Sequence, residues 1–443
     1  MVKRDQKGFG HLGLLLVAVV IAIVGLAGWK VYQANKPLPK QSTSGKAVSY
    51  NQTESRALTS GNCSGAGSVN IGPPMPLDQV SFVLPYGEVV GGHVTPIDHQ
   101  YYNGLLANSA LRDTYDVIAP ADGNIVSVQH RGDKVNTPPH TVDTPSSDEY
   151  RIVIAHTCSF LTYVDLVTSL DANIKSKVPA LSGGQGASVK IPVTKGEVIG
   201  HIGGQTLDFA VWDLSRPLQG FVDYADYSGE SWKPYTAPPT DYMDSSTKAA
   251  VVAKYIRTAA PVDGKIDYDI DGKLIGNWFL QGSGGYHAAS NTAQNYWVGH
   301  LSIAPDNIDP SVYIASIGNY DLYPKPAGYS GGSGGPTSTA TNGGSKDAEQ
   351  FMIKSATSNP ATAGQSSGLV KYELTGKTYL LTNGVQWDNA SFATGIRASA
   401  AGGIQGVILA QLTGARTLKF EAFPGETAAQ VSGFDGNAKT YTR

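Results

Sequence analysis

Apolar and polar residues alternating with a period of two, a chain crowded with turn formers, and one uncharged apolar run near the N-terminus predict a mainly β protein behind a single membrane helix. Of 443 residues, 52 are glycine, 25 proline and 23 tyrosine, and 16% are charged against 41% hydrophobic. That balance suits short strands joined by tight turns better than long charged helices. The length exceeds what one core usually holds and predicts two or more folded units. With a net charge of −3 and no basic stripe interleaved with aromatics, nucleic acid is excluded as a partner.

The short N-terminus, residues 1–11, carries Lys3, Arg4 and Lys7, and residues 12–29 follow without a charge. Such a run is long enough to span a bilayer, and the basic flank places the N-terminus in the cytoplasm and the bulk of the chain outside. A cleaved signal peptide is the competing reading. Lys7-Gly8-Phe9-Gly10 also resembles the start of type IV prepilins, although Gly13 stands near where their acidic residue is expected. Residues 30–75, with Pro37, Pro39 and a polar composition, read as an extracellular linker unable to bury much apolar surface. Residues 76–215 read as one folded unit and 216–323 as a second, β-rich one. Residues 324–346 are a Gly/Ser/Pro-rich flexible segment, and 347–443 a C-terminal β-rich unit. The two cysteines, Cys63 and Cys158, either pair to staple the linker to the first unit or remain two thiols.

In the first unit, Asp116–Val126 reads as a hairpin around Asp122-Gly123, followed by strands at Tyr150–His156 and Tyr163–Leu166. The turn segment Val193–Gly203 comes next, and then a strand at Gln205–Trp212. In this order the segments resemble the lysostaphin-type (LytM-like) zinc endopeptidases of cell walls, the duplicated hybrid motif. These carry an "Ala-Pro-x-Asp-Gly-x-Val" hairpin, a "Tyr-x-His-Leu" strand, a "Lys-Gly-x-x-Ile-Gly" turn and a terminal "His-Leu-His-Phe" strand. The resemblance covers about residues 85–215 and implies a lysostaphin-like β barrel or sandwich, with the second β-rich unit after it.

The resemblance also implies a zinc ion held by a His-x-x-x-Asp motif and the last histidine of the terminal strand, with two more histidines assisting the bound water. Carried over, the last ligand falls on Asp208, its neighbour on Thr206 and the "Tyr-x-His-Leu" histidine on Asp165. For the first motif, His93 and Asp98 are one residue too far apart, while His99 and Asn103 have the spacing but lack the carboxylate. Two readings follow. Either His93 or His99, with Asp98 and Asp208, forms a reworked site for zinc or manganese, or these groups hydrogen-bond around a relict pocket with no cofactor. Thr206 and Asp165 occupy degenerate catalytic positions, and Asp165 acts as a general base only if it faces the pocket.

The expected function is therefore a membrane-anchored cell-envelope protein that binds or organises peptidoglycan or another envelope polymer without cleaving it. The alternatives are a zinc peptidoglycan endopeptidase with an altered ligand set and a pilin-like surface component. His156 is expected to hydrogen-bond at a strand end, and Trp278 with Trp297 to serve either as core or as an aromatic platform.

Overall fold

The computed structural model describes residues 49–106, 109–131, 149–287, 297–326, 348–356 and 358–443. The apolar run at 12–29 and most of 324–346 lie outside the described residues. Among the described residues no helix is long and apolar enough to cross a membrane. The fold is mainly β, in several sheets.

The first unit is built on one large sheet. Its path runs from β1 (Val80–Leu84) and β2 (Gln100–Gly104) through β10 (Leu207–Asp213) and β6 (Phe160–Val167). It continues through β5 (Tyr150–Ala155) and β4 (Gly123–His130) to β8 (Gly186–Val193), and the short β11 (Thr236–Ala237) pairs with β10 off this path. A three-stranded sheet, β3 (Tyr115–Ile118), β9 (Val198–Ile202) and β7 (Ser169–Leu170), shares a core with it. The large sheet is covered on both faces, which explains why all seven residues of β10 are buried. Phe209 and Val211 enter the core shared with the small sheet, while Ala210 and Trp212 point to the opposite face against Phe221, Tyr227 and Tyr286.

The expected hairpin at Asp116–Val126 does not form. β3 pairs with β9, and β4 pairs with β5 and β8, so Ala119–Asp122 turns a corner between two sheets. Nor are residues 49–75 a bare spacer. The helix α1 (Gln52–Thr59) is capped by Asn51, whose side chain accepts from the Glu54 amide, and Ile71 and Met75 are fully buried. A Cys63–Cys158 disulfide ties this stretch to the loop before β6.

Residues 216–275 are mostly short 3-10 turns and one helix, α2 (Ser245–Val252). The alternating stretch Val262–Asp269 makes no strand because its carboxylates accept loop amides instead. Asp263 takes Thr240, Asp267 takes Gly220, and Asp269 takes Val222 and Asn277. Gly264 is required there: its φ is +79°, and a Cβ would lie 2.2 Å from the Tyr86 carbonyl oxygen.

Beyond Gly276 an eight-stranded antiparallel barrel closes in simple up-and-down order. Its strands are β12 (Gly276–Leu280), β13 (His300–Pro305), β14 (Tyr313–Ile317), β15 (Glu349–Ala356), β16 (Val370–Leu380), β17 (Arg397–Gly414), β18 (Thr417–Pro424) and β19 (Lys439–Thr442). Closure comes from β19 pairing with β12. Side chains fill its interior, Trp278, Tyr372, Phe420 and Tyr441 among them. Trp278 is thus core rather than a ligand platform, donating its indole N–H to the Leu274 carbonyl at 2.8 Å, and Trp297 lies against Gly92. The long β16–β17 hairpin leans back on the first unit, where Tyr379, Trp387 and Ile396 meet Phe82 and Ile256.

Candidate functional site

Three neighbouring strands turn polar at the same end of the large sheet. On the face that carries Trp212 and Ala210 along β10, Leu161 and Tyr163 along β6, and Ala155 and Val153 along β5, the next positions are Asp208, Asp165 and Arg151. Strand alternation puts them on one side, and register aligns them: Asp208 lies opposite Asp165 on β6 and opposite Tyr101 on β2. Arg131, just past β4, completes the row, anchored by its amide to the Glu149 carbonyl at 2.8 Å. The result is a polar line across five adjacent strands.

The turn between β1 and β2 brings the remaining groups over this line. Backbone bonds from Gly87 to Ile97 and from Ile97 to Glu88, with a bridge between Val90 and His93, fold it back so that Asp98 and His99 sit at the mouth of β2. Segment 224–235 and Tyr286 form the facing wall. Together they enclose a cavity of about 330 Å³.

Its charges pair closely. Both Nε and Nη2 of Arg151 reach Oδ2 of Asp165, at 2.8 and 2.7 Å, and Nη1 of Arg131 lies 3.5 Å from the same oxygen. Asp98 accepts the Trp232 indole N–H at 2.9 Å and faces the Lys233 ammonium at 3.5 Å. That ammonium, 5% exposed, also reaches Glu230 at 3.2 Å and lies over the Tyr286 ring. His99 bridges two carboxylates, Nδ1 to Asp98 at 3.4 Å and Nε2 to Asp208 at 3.3 Å.

Electrostatics follow from this geometry. Burial would raise the Asp98 carboxyl, but Lys233, His99 and Trp232 outweigh it and hold it well below the usual range. Burial would lower His99, yet Asp208 and Asp98 raise it, so it favours the imidazolium. Asp208 is pushed up to about 7 by burial, with His99 opposing and Asp165 adding to the rise. His93, its ring 5.9 Å from that of His99, is lowered to about 3 by burial and by the cations of His99 and Lys233. Oδ1 of Asp208 is buried with no hydrogen-bond partner among the described residues.

Of the residues singled out from the sequence, His93, Asp98, His99, Asp165 and Asp208 line the cavity. Thr206 does not. It lies in the turn before β10, which begins at Leu207, so the two-residue alternation expected to pair it with Asp208 never starts. Asn103 also points elsewhere, its amide donating to the Tyr101 carbonyl. Asp165 faces the cavity, but two guanidiniums occupy it, which leaves it no role as a general base. His156 sits at a strand end between the Asp122 carbonyl and the Thr162 hydroxyl, at 2.8 and 2.9 Å. Arg131, Arg151, Trp232 and Lys233 escaped the sequence reading. Arg151 alone leaves a trace, a charge inside an otherwise apolar strand, which requires a buried partner.

Zinc does not fit these side chains as arranged. Among the described residues no three of His, Cys, Asp and Glu converge to hold a metal ion. Both His99 nitrogens face carboxylates, and Asp98 and Asp165 face fixed cations, so among the described residues Asp208 Oδ1 is the buried carboxylate oxygen of the cavity left without a partner.

No family model matches the chain, and no curated protein matches it. Solved structures that align with it include two crystal forms of Helicobacter pylori Csd3. The orthorhombic form is 18% identical over 34% of this chain and 33% of that one, with a TM-score of 0.20. The hexagonal form is 15% identical over 42% and 38%, with a TM-score of 0.21. The chain thus spans 33–38% of the length of these structures, and scores this low carry no inference about mechanism.

Proposed function

We propose that the chain is a membrane-anchored, outward-facing envelope protein whose LytM-like unit binds peptidoglycan or a related polymer and does not hydrolyse it. One observation carries this reading: the carboxylates at the relict catalytic positions are neutralised by the protein's own cations. Arg151 and Arg131 hold Asp165, Lys233 holds Asp98, and His99 spans Asp98 and Asp208. Metallopeptidase chemistry needs a bound water of lowered pKa and donors aimed at an oxyanion. Here the donors already serve carboxylates. Among the described residues, those lining the cavity include no serine, threonine or cysteine to act as a nucleophile instead. A cavity that keeps its shape, aromatic walls and charge while lacking these elements suits recognition.

Co-sedimentation of the purified full chain with peptidoglycan sacculi tests the proposal. The chain is expected to pellet with sacculi and to stay soluble with a neutral polysaccharide such as dextran. Equal partition with both would refute envelope binding.

A further inference from the structure

Two side chains of the cavity keep bonding capacity that their internal partners do not fill. At its floor, Oδ1 of Asp208 has no partner among the described residues, although the residue is only 6% exposed. A buried acceptor of this kind stays costly until a donor reaches it. At its edge, the Arg131 guanidinium is 31% exposed, with Nη1 3.5 Å from Asp165. The first therefore calls for a cationic donor and the second for an anionic acceptor.

We infer that the cavity takes a compact zwitterion with ammonium and carboxylate on one carbon, as in a free α-amino acid, its ammonium on Asp208 Oδ1 and its carboxylate on Arg131. This rests on the reading of the cavity as a binding site. Surroundings reject the simpler ligands: a lone cation meets Arg131, Arg151 and Lys233, and a lone anion meets Asp208, Asp165 and Glu230. At about 330 Å³ the volume sits at the small end of ligand sites, roughly 300–1,000 Å³. It admits a single amino acid.

Isothermal titration of the full chain with alanine, ethylamine and propionate decides the matter. Alanine is expected to bind at least roughly tenfold more tightly than either single-charge analogue. Asp208→Asn and Arg131→Gln are each expected to weaken alanine by a similar factor. Arg131 is a partly exposed side chain, so its variant reports on binding even where Asp208→Asn perturbs folding. Equal binding of all three probes, no binding of alanine, or alanine binding unchanged in Arg131→Gln would overturn the inference. A chain that pellets with sacculi yet ignores alanine refutes the zwitterion and keeps the envelope reading. One that binds alanine but not sacculi does the reverse.

Discussion

Asp208 and Asp165 face each other across β10 and β6, and like charges in that position destabilise a sheet unless something answers them. Two guanidiniums answer Asp165, while His99 answers Asp208 through one oxygen only. The native state accordingly keeps protons that the unfolded chain releases. Asp208 is raised to about 7, chiefly by burial, and His99 is raised by Asp208 and Asp98 against its own burial. For groups with folded pKa values above their unfolded ones, the stabilisation is complete below the unfolded value, near pH 4 for an aspartate. It is lost as pH rises through the folded value. Asp208→Asn removes that loss. Relative to the unaltered protein, the variant is expected to gain on the order of 1–4 kcal/mol between about pH 4 and about pH 8. Thermal melts of both proteins across that range measure the gain, and a pH-independent difference would contradict it. At this scale Asp165 and Asp208 follow from motif position, while Asp98 and His99 come from a segment whose spacing fits the motif only in part, and strand order brings all four to one cavity. Lys233 is not legible. Trp232-Lys233-Pro234-Tyr235 reads as an ordinary surface turn, and only the chain's return across the sheet buries its ammonium beside Asp98.

Individual strands follow period-two patterning closely, but their partners do not follow from sequence neighbours. β3 and β4 flank an Asp-Gly turn and still join different sheets, since Val117 and Ile125 pack inside one core from opposite layers. Thr206 shows the cost of a one-residue boundary: a strand beginning at Leu207 leaves it outside the alternation that aims Asp208 at the cavity. The polar stretch before β1 misleads in the other direction. Its composition suggests a solvated spacer, yet α1, Ile71 and Met75 pack on the first unit and Cys63 bonds Cys158 across 95 residues of sequence. Closing a loop of that size restricts the unfolded chain strongly. Replacing both cysteines by serine is expected to lower stability by roughly 2–5 kcal/mol, measured by urea unfolding under non-reducing conditions. An unchanged midpoint would show that the helix docks without the bond.

In the whole molecule, the closed barrel is the feature least visible beforehand. Segments near Trp278, Leu301, Ile314, Tyr372, Leu409 and Phe420 each read as strands, but closure depends on β12 meeting β19 from the far end of the chain. The barrel also contributes to the cavity region, because β12 opens into the turn that presents Tyr286 beside Lys233. On the proposed reading, loss of catalysis and retention of a cavity are separable: internal cations answer the carboxylates at the motif positions, while the sheet and its covering segment enclose the cavity. The direct test is release of soluble peptides from peptidoglycan by the full chain in the presence of added zinc, with and without a chelator. No release under either condition is predicted, with sacculus binding unaffected by the chelator. Chelator-sensitive release that disappears in Asp208→Ala would contradict the account and establish a working metallopeptidase.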